Sequence, residues 1–502
     1  MSSTDQEFLR RVCDVPYHGL GLSVDVYSPD LRELRETLDA QGVTHDYLEV
    51  FKAASHALRS VREHLLTTRI AYHAEGLWIT QPDFETAYPW EVELETAAEH
   101  LGILESRWLN HECAAKQMAG YSFGTYLPPL FTQASADITA ENVTRVQQRL
   151  DRLCSAIGHP GALFLLETPP LTYFAFGELS MPEFFRRLTD LTPCGVVLDI
   201  GHLWTVYRYT SQWKQTSLQR FLADFLDSFP LERVVEVHLA GLASHELSQA
   251  DQTPFSTSVA PPLWIDSHGA PVPEVLLEML AQTLSHRGLR SLKAVGLEVD
   301  TKAVPQIVAE FRRLRDWCGE TVKRWDRGVV SELPPRGQSS EALARPTATG
   351  SGSTEGAAEL LEHYRVYART VSGQTVACFP LTEVEPDAVA MYRQAYLPHE
   401  ILVWGGDVRE MFPETWHHLD RADIPLNAFF AYWFREPRTS TSPYDFFLLK
   451  LERFSDFVDE ILPEAAGIAR REAEELRVGY QCANEQIERE SRSHDQDKEV
   501  VS

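Results

Sequence analysis

The sequence has few features of a secreted or membrane-embedded protein. Seven cysteines are spread singly through 502 residues, and no two of them form a Cys-x-x-Cys pair. This usage indicates reduced thiols and argues against a disulfide framework. No segment approaches the roughly 18 consecutive apolar residues of a membrane helix, and the first residues hold no apolar run typical of a signal peptide. We therefore expect a cytoplasmic protein.

Positive charge is also scarce. The chain has 46 Lys and Arg residues against 73 Asp and Glu residues, which gives a formal net charge of −27. Such a surface repels phosphate groups and anionic lipids. We therefore expect neither nucleic acid nor a membrane to be a main partner.

The length and composition predict two folded units. A single core rarely organises 502 residues, and 44% hydrophobic residues provide ample material for cores. Residues 331–356 are rich in Pro, Gly, Ser and Thr and read as a flexible linker. This divides the chain into residues 1–330, the linker, a second unit at 357–485, and a charged tail at 486–502 that we expect to be disordered.

The first unit alternates strand patterns with amphipathic helical patterns, which favours a parallel sheet. Eight such strands in roughly 300 residues predict a closed (β/α)8 barrel, also called a TIM barrel. The open doubly wound sheet is the alternative, but no Gly-x-Gly-x-x-Gly turn follows the first strand. The predicted strands are Leu20–Val26, Tyr47–Phe51, Arg69–His73, Trp108–His111, Leu163–Glu167, Val196–Asp199, Val234–Leu239 and Ala294–Val299.

The second unit is predicted to be a smaller, mostly helical α+β domain. The segments Tyr364–Arg369 and Ile401–Trp404 have strand-like composition. A helix is expected to begin with Ser442 as its N-cap and Pro443 at its first position, and Pro463 is expected to break or kink it.

Imidazole and carboxylate side chains follow six successive predicted strands of the barrel. The carboxyl ends of barrel strands are where loops build active sites, so we expect these side chains to meet. Together they are ligands that suit iron, zinc or manganese, and they are too many for one ion. The set is His73, His111, Glu167, Asp199, His202, His238, Asp266, His268 and Glu298.

The order of these residues resembles that of the xylose-isomerase-like barrels, which include zinc-dependent abasic-site endonucleases. The sequence motifs around these residues are similar to those of a narrower group. They are GLGLSVDV, DYLEV, VEVHLAG, WIDSHGAPVPEVLLEML and GLEVD. This group is the MNIO family, the multinuclear non-heme iron-dependent oxidative enzymes. The resemblance covers roughly residues 17–320.

The resemblance implies an oxidoreductase that binds two or three iron ions in mixed Fe2+/Fe3+ states. It would use O2 to oxidise side chains, most often cysteine, of a ribosomally made precursor peptide. By position, His73, His111 and Glu167 would hold one ion, and Glu167, Asp199, His238 and Glu298 would hold a second and carry catalysis. The third position would be formed by His202, Asp266 and His268.

Family members commonly need a small partner that recruits the leader part of the peptide. We expect residues 357–485 to be such a partner fused to the barrel, which would raise its effective concentration. Its aromatic residues could line a peptide groove, although for each one a place in the core of the unit is the favoured interpretation. These residues are Trp404, Trp416, Tyr432, Trp433 and Phe434.

The main alternative is a zinc- or manganese-dependent hydrolase or phosphodiesterase of the abasic-endonuclease type. Its ligand order is the same, but the acidic charge and the absence of an evident Lys/Arg cluster near the ligand loops argue against a nucleic acid substrate. A sugar isomerase would need a catalytic Lys or a His–Asp relay that the sequence does not offer. A barrel that only binds ligands would leave nine metal-ligand positions unexplained.

Overall fold

The computed structural model describes residues 2–64, 69–244, 264–326, 353–374, 386–403, 406–438 and 446–499. The strands in these ranges are β1 (Gly19–Val24), β2 (Tyr47–Phe51), β3 (Arg69–His73), β4 (Trp108–Glu112), β5 (Ala115–Met118), β6 (Tyr121–Leu127), β7 (Leu163–Glu167), β8 (Gly195–Asp199), β9 (Val234–Leu239), β10 (Leu242–Ser244), β11 (Trp264–Asp266) and β12 (Ala294–Glu298).

The α-helices that lie between and after these strands are of very different lengths. They are α1 (Ser3–Asp14), α2 (Leu31–Ala40), α3 (Ser55–His64), α4 (Phe84–Ala87), α5 (Trp90–Leu104), α6 (Gln133–Ala156), α7 (Met181–Leu191), α8 (Ile200–Tyr209), α9 (Gln212–Gln215), α10 (Leu218–Ser228), α11 (Glu274–Ser285), α12 (Val304–Asp326), α13 (Ser353–Val371), α14 (Pro386–Met391), α15 (Leu397–Leu402), α16 (Val408–Met411), α17 (Pro413–Arg421), α18 (Leu426–Trp433), α19 (Phe446–Ile461) and α20 (Ala466–Glu499).

Eight parallel strands close into a barrel in the order β1, β2, β3, β4, β7, β8, β9 and β12, with β12 pairing back to β1. This confirms the predicted (β/α)8 barrel. The barrel strands are almost wholly buried and rich in Val and Leu, as strands covered on both faces should be. Two antiparallel hairpins, β5–β6 and β10–β11, leave the barrel after β4 and β9.

Local signals in the sequence explain how the helices around the barrel begin. The Ser180 hydroxyl accepts a hydrogen bond from the backbone N–H of Glu183, and the Glu183 carboxylate accepts one from the backbone N–H of Ser180. Pro182 lies in the first turn of α7. Asp199 ends β8 and its carboxylate accepts from the backbone N–H of His202, which caps α8. The same carboxylate therefore begins a helix and lies at the barrel mouth.

The part of the chain that follows α12 is helical throughout the described residues, which corrects the expectation of strands there. Residues 364–369 lie inside α13, and residues 401–402 end α15. Tyr364 and Ile401 are fully buried, so tertiary packing outweighs the strand propensity of their Tyr and Val neighbours. Trp404 lies outside the described residues.

This C-terminal region, residues 353–499, packs on the barrel. The Tyr364 hydroxyl accepts from the backbone N–H of Leu130 at 3.1 Å, and the Trp433 indole donates to the carbonyl of Ser122 at 2.9 Å. Buried side chains of both parts belong to one apolar cluster. Trp433 and Phe434 are thus core residues, while Trp416 and Tyr432 are partly buried.

Three further expectations concern the linker before the C-terminal region, one helix inside it and the tail after it. Most of the predicted linker, residues 331–352, lies outside the described residues, as do Ser442 and Pro443. Helix α19 ends at Ile461 just before Pro463, as predicted. The tail was expected to be disordered, but α20 continues to Glu499, because its Glu, Arg, Gln and Lys residues favour a helix.

No helix in the described ranges is long and apolar enough to span a membrane.

Candidate metal centre

Carboxylates and imidazoles meet at the carboxyl ends of the barrel strands. His73, Glu167, Asp199 and Glu298 are the last residues of β3, β7, β8 and β12. His238 is the penultimate residue of β9. Because all eight strands run in parallel, their ends lie at the same mouth of the barrel. The strands therefore bring together five of the nine residues that the sequence singled out.

Glu167 is at the centre of this cluster, and its two oxygens face different neighbours. Its Oε2 lies 3.2 Å from Nε2 of His73 and accepts a hydrogen bond from the amide of Asn110 at 2.7 Å. Its Oε1 lies 3.1 Å from Nδ1 of His238. A carboxylate placed in this way can join two cations.

Three overlapping groups around Glu167 and Asp199 each bring their ligand atoms within 4.8 Å of one another. The first is His73, Glu112 and Glu167. The second is Glu167, Asp199, His238 and Glu298, the four residues expected to share one ion. The third is Asp199, His202 and Asp266.

His268 borders the third group. Its Nε2 lies 3.3 Å from Oδ2 of Asp266 and 3.3 Å from Oε2 of Glu298. This side of the cluster is the one nearest to solvent, since His268 is 25% exposed while Glu298 is 3% exposed. The ring of Phe51 stacks against that of His268 at 6.2 Å between centroids.

Three of the imidazoles are oriented through their Nδ1 atoms. Nδ1 of His73 faces the carbonyl of Ala74 at 3.0 Å, and Nδ1 of His202 faces the carbonyl of Thr168. Nδ1 of His268 is hydrogen-bonded to Asp300. In a neutral imidazole, an N–H donated at Nδ1 leaves Nε2 without a proton, and Nε2 faces the cluster in each case.

The protonation of the cluster shows how strongly its charges interact. Burial, and then the charge of Glu167, raises the pKa of Glu112 to about 8. Burial also raises the pKa of Glu298 to about 8, with Glu167 and Asp199 adding to it. Burial alone would lower the pKa of His73, but its hydrogen bond to Glu167 raises it to about 9. Without cations, these groups compete for protons.

Several carboxylate oxygens of the cluster are buried and make no hydrogen bond. They are Oε2 of Glu112, Oδ2 of Asp199 and Oδ1 of Asp266, together with Oε2 of Glu298, which has only the imidazole of His268 at 3.3 Å. A buried carboxylate oxygen without a partner is costly unless a cation compensates it. The residues present therefore fit a centre of two or three metal ions.

The sequence of the barrel matches a known family of enzymes. Residues 17–318 match the sequence profile of the family described as RiPP precursor modification enzyme MbnB/TglH/ChrH, where RiPP denotes a ribosomally made, modified peptide. The chain belongs to this family. The match confirms the resemblance to the MNIO enzymes.

Bacterial proteins named UPF0276 belong to the same family. A UPF0276 protein of Caulobacter vibrioides is 26% identical over 283 residues, which are 55% of this chain and 85% of that protein. One from Rhizobium meliloti is 32% identical over 159 residues, or 31% of this chain. The chain spans 42% of the Rhizobium protein and 50% of a similar one from Paraburkholderia phytofirmans.

Solved structures with a similar backbone fold include two enzymes of other families. Endonuclease IV from Thermus thermophilus is 16% identical, with a TM-score of 0.36, and covers 60% of this chain and 99% of its own. D-psicose 3-epimerase from Clostridium cellulolyticum is 11% identical, with a TM-score of 0.32, and covers 62% and 98%. No conclusion about function rests on these two similarities.

In this member of the family, His111 is the one proposed ligand that the structure directs away from the cluster. Its Nε2 accepts from the backbone N–H of Leu77 at 3.0 Å, and its Nδ1 faces the carbonyl of Glu112 at 2.8 Å. Side chains alternate along a strand, so Asn110 and Glu112 point into the barrel and His111 points out. Glu112, and not His111, lies with His73 and Glu167 in one group of potential ligands.

Glu112, Glu49 and Glu236 are functional candidates that the sequence reading missed. Glu49 and Glu236 are fully buried in the middle of β2 and β9, and with His238 they form a further group of potential ligands. The sequence does contain a signal, because Glu49 and Glu236 interrupt apolar strands and Glu112 ends β4 in phase with the inward-facing Asn110.

Proposed function

We propose that this protein is an O2-dependent multinuclear iron enzyme that oxidises a side chain, cysteine in the first place, of a ribosomally made precursor peptide. The observation that carries the proposal is the set of three overlapping ligand groups that share Glu167 and Asp199. Membership of a family of precursor-modifying enzymes supports a peptide as the substrate.

The chain offers three positions for metal ions. His73, Glu112 and Glu167 would hold the first ion. Glu167, Asp199, His238 and Glu298 would hold the second, with Glu167 between the two. Asp199, His202 and Asp266 would hold the third, with His268 beside it. Iron bound there would supply a redox centre that can accept a soft thiolate ligand and react with O2.

The protein's own residues would orient the substrate and limit the access of water. The first and second positions are enclosed, since Glu167 and His238 are at most 1% exposed. The third position has the more accessible residues, with 12% exposure for Asp266 and 25% for His268. A peptide would therefore approach the cluster from the side of His268 and Phe51.

The C-terminal region is proposed to contribute to peptide recruitment. It contacts the β5–β6 hairpin, where the Tyr396 hydroxyl lies 3.3 Å from Oγ1 of Thr125. Tyr396 also packs on Tyr173, with 5.9 Å between ring centroids, in the loop that follows Glu167. A peptide held by this region would thus be close to the loop that carries a central ligand.

Hydrogen exchange of the full chain with and without the precursor peptide tests this recruitment. We expect peptide-induced protection in α13, α15 and the β5–β6 hairpin, as well as around the barrel mouth. Protection restricted to the barrel loops would contradict a role of the C-terminal region.

Co-expression tests the activity itself. The full chain is produced together with a candidate precursor peptide that contains cysteine, and the peptide mass is measured. A mass change that needs O2 and disappears in Asp199→Asn, with Asp227→Asn as an exposed-carboxylate control, is the expected result. Peptide left unchanged by an iron-loaded protein, or phosphodiester cleavage by a zinc- or manganese-loaded one, would contradict the proposal.

A further inference from the structure

A second layer of carboxylates lies in the barrel next to the candidate metal centre. It consists of Glu49 on β2 and Glu236 on β9, and neither is exposed to solvent. None of the three metal positions described above uses these two residues. Burying two carboxylates is expensive, so their placement needs a physical reason.

The imidazole of His238 connects this layer to the cluster. Its Nδ1 lies 3.1 Å from Oε1 of Glu167 and 3.5 Å from Oε1 of Glu298. On the opposite edge of the ring, Nε2 lies 3.1 Å from Oε1 of Glu49 and 3.6 Å from Oε1 of Glu236. His238 therefore faces the metal positions with one nitrogen and the second layer with the other.

The two carboxylates differ in how they are held. The Ser23 hydroxyl donates to Oε1 of Glu49 at 2.8 Å, and the Tyr47 hydroxyl donates to Oε1 of Glu236 at 2.6 Å. Glu49 is the closer of the two to Nε2 of His238 by 0.5 Å. Nε2 of His238 is buried and makes no hydrogen bond in this structure, and Oε1 of Glu49 is the nearer of the two carboxylate oxygens that face it.

A neutral imidazole carries one proton, and a nitrogen that binds a metal ion cannot hold it. If Nδ1 of His238 is the ligand, the proton must be on Nε2, where Glu49 faces it. A carboxylate that accepts the outer N–H of a metal-bound histidine fixes the orientation of the ring and makes the ligand nitrogen more basic.

We propose that Glu49 is a positioning residue of the metal centre. It accepts the Nε2 proton of His238 and so directs Nδ1 to the metal position shared with Glu167, Asp199 and Glu298. The inference rests on the metal-binding part of the proposed function and is independent of which peptide is modified.

The test compares Glu49→Gln with Glu236→Gln in the full chain. Both changes remove one buried carboxylate charge at constant size, and the two residues flank the same nitrogen. Anaerobic titration with Fe2+ should show one metal position weakened by about 10- to 100-fold in Glu49→Gln, and by much less in Glu236→Gln. The midpoint potential of the iron centre should rise more in Glu49→Gln, because a less basic imidazole stabilises Fe3+ less well.

Equal changes in the two variants would overturn the inference, since the effect would then come from charge alone. Loss of one whole additional metal ion per chain in both variants would also overturn it, because Glu49, Glu236 and His238 would then bind a cation themselves. If Glu49→Gln does not fold, Ser23→Ala should weaken the same position by a few-fold, and unchanged affinity there would contradict the inference. A wild-type chain that binds no iron refutes instead the metal part of the proposed function.

Discussion

At the scale of single residues, the structure and the sequence differ over two neighbours on β4. The sequence favoured His111 as a metal ligand, and the structure favours Glu112. Glu112 belongs to the group with His73 and Glu167, whereas both ring nitrogens of His111 are engaged by the backbone. We predict that Glu112→Gln lowers the iron content by about one ion per chain and that His111→Gln leaves it unchanged. Elemental analysis of the two purified variants measures this.

The His111 variant should be less stable, by about 1–3 kcal/mol, because the backbone N–H of Leu77 loses its acceptor. A lower free energy of unfolding in urea therefore shows that the His111 change affects the protein even where the iron content stays the same. Iron lost from His111→Gln but retained by Glu112→Gln would contradict the structure of the centre.

A residue outside the metal centre makes the stability of the fold depend on pH. His18 is 2% exposed, its Nδ1 faces the carbonyl of Pro16 at 2.8 Å, and its ring packs on that of Trp108. Burial lowers the pKa of His18 from 6.5 to about 4. A lowered pKa in the folded state means that the unfolded chain binds the proton more readily.

The stabilising contribution of the buried, neutral His18 to the free energy of unfolding is therefore fully present above about pH 6.5 and is lost as pH falls towards 4. It amounts to about 3 kcal/mol over this range. We predict that the free energy of unfolding falls less steeply with decreasing pH in His18→Phe than in the wild type. The free energy of unfolding of each protein is measured in urea between pH 6.5 and pH 4.5. An equal fall in the two proteins would refute this assignment.

At the scale of elements, most of the barrel could be predicted from the sequence. Tyr47–Phe51, Arg69–His73, Leu163–Glu167 and Val234–Leu239 have the predicted bounds. Each is a short apolar run with a clear turn or helix signal on either side. The candidate ligands at the strand ends could be found for the same reason, since the end of the apolar run marks the mouth of the barrel.

The failures have physical causes too. The structure groups Glu112 rather than His111 with the other candidate ligands because side chains alternate along a strand, and counting inward positions from Asn110 selects Glu112. Residues 364–369 carry Tyr and Val at positions that suit a strand or a buried helix equally well. Only the helices and the hairpin that surround Tyr364 decide between the two, and this information is not local.

The contact between the β5–β6 hairpin and the C-terminal region can be tested with a matched pair of glycines. Gly124 has φ +73°, and a Cβ there would lie 2.7 Å from the ring of Phe446. Gly158 has φ +74°, with nothing within 4 Å. Alanine at either position introduces the strain of a left-handed backbone, about 1–2 kcal/mol.

Only Gly124→Ala should add a steric penalty, about 1–3 kcal/mol, because Phe446 and the hairpin would have to separate. The difference between the unfolding free energies of the two variants measures the cost of this separation. Equal destabilisation would mean that the C-terminal region does not press on the hairpin as the structure has it.

At the scale of the whole molecule, the barrel and the C-terminal region form one body. Their buried side chains belong to a single apolar cluster that includes Leu166 and Leu198 of the barrel and Tyr364 and Phe429 of the C-terminal region. A region packed in this way holds its position relative to the metal centre. If it binds part of a peptide, it presents the remainder at a fixed distance from Glu167.

The central claim is that the barrel mouth holds a multinuclear iron centre. The measurement that tests it most directly is elemental analysis of the full chain, purified anaerobically without added metals, with iron, zinc and manganese counted per chain. The account predicts two or three iron ions per chain, in keeping with the three overlapping ligand groups. Zinc or manganese without iron, or less than one metal ion per chain, would contradict it.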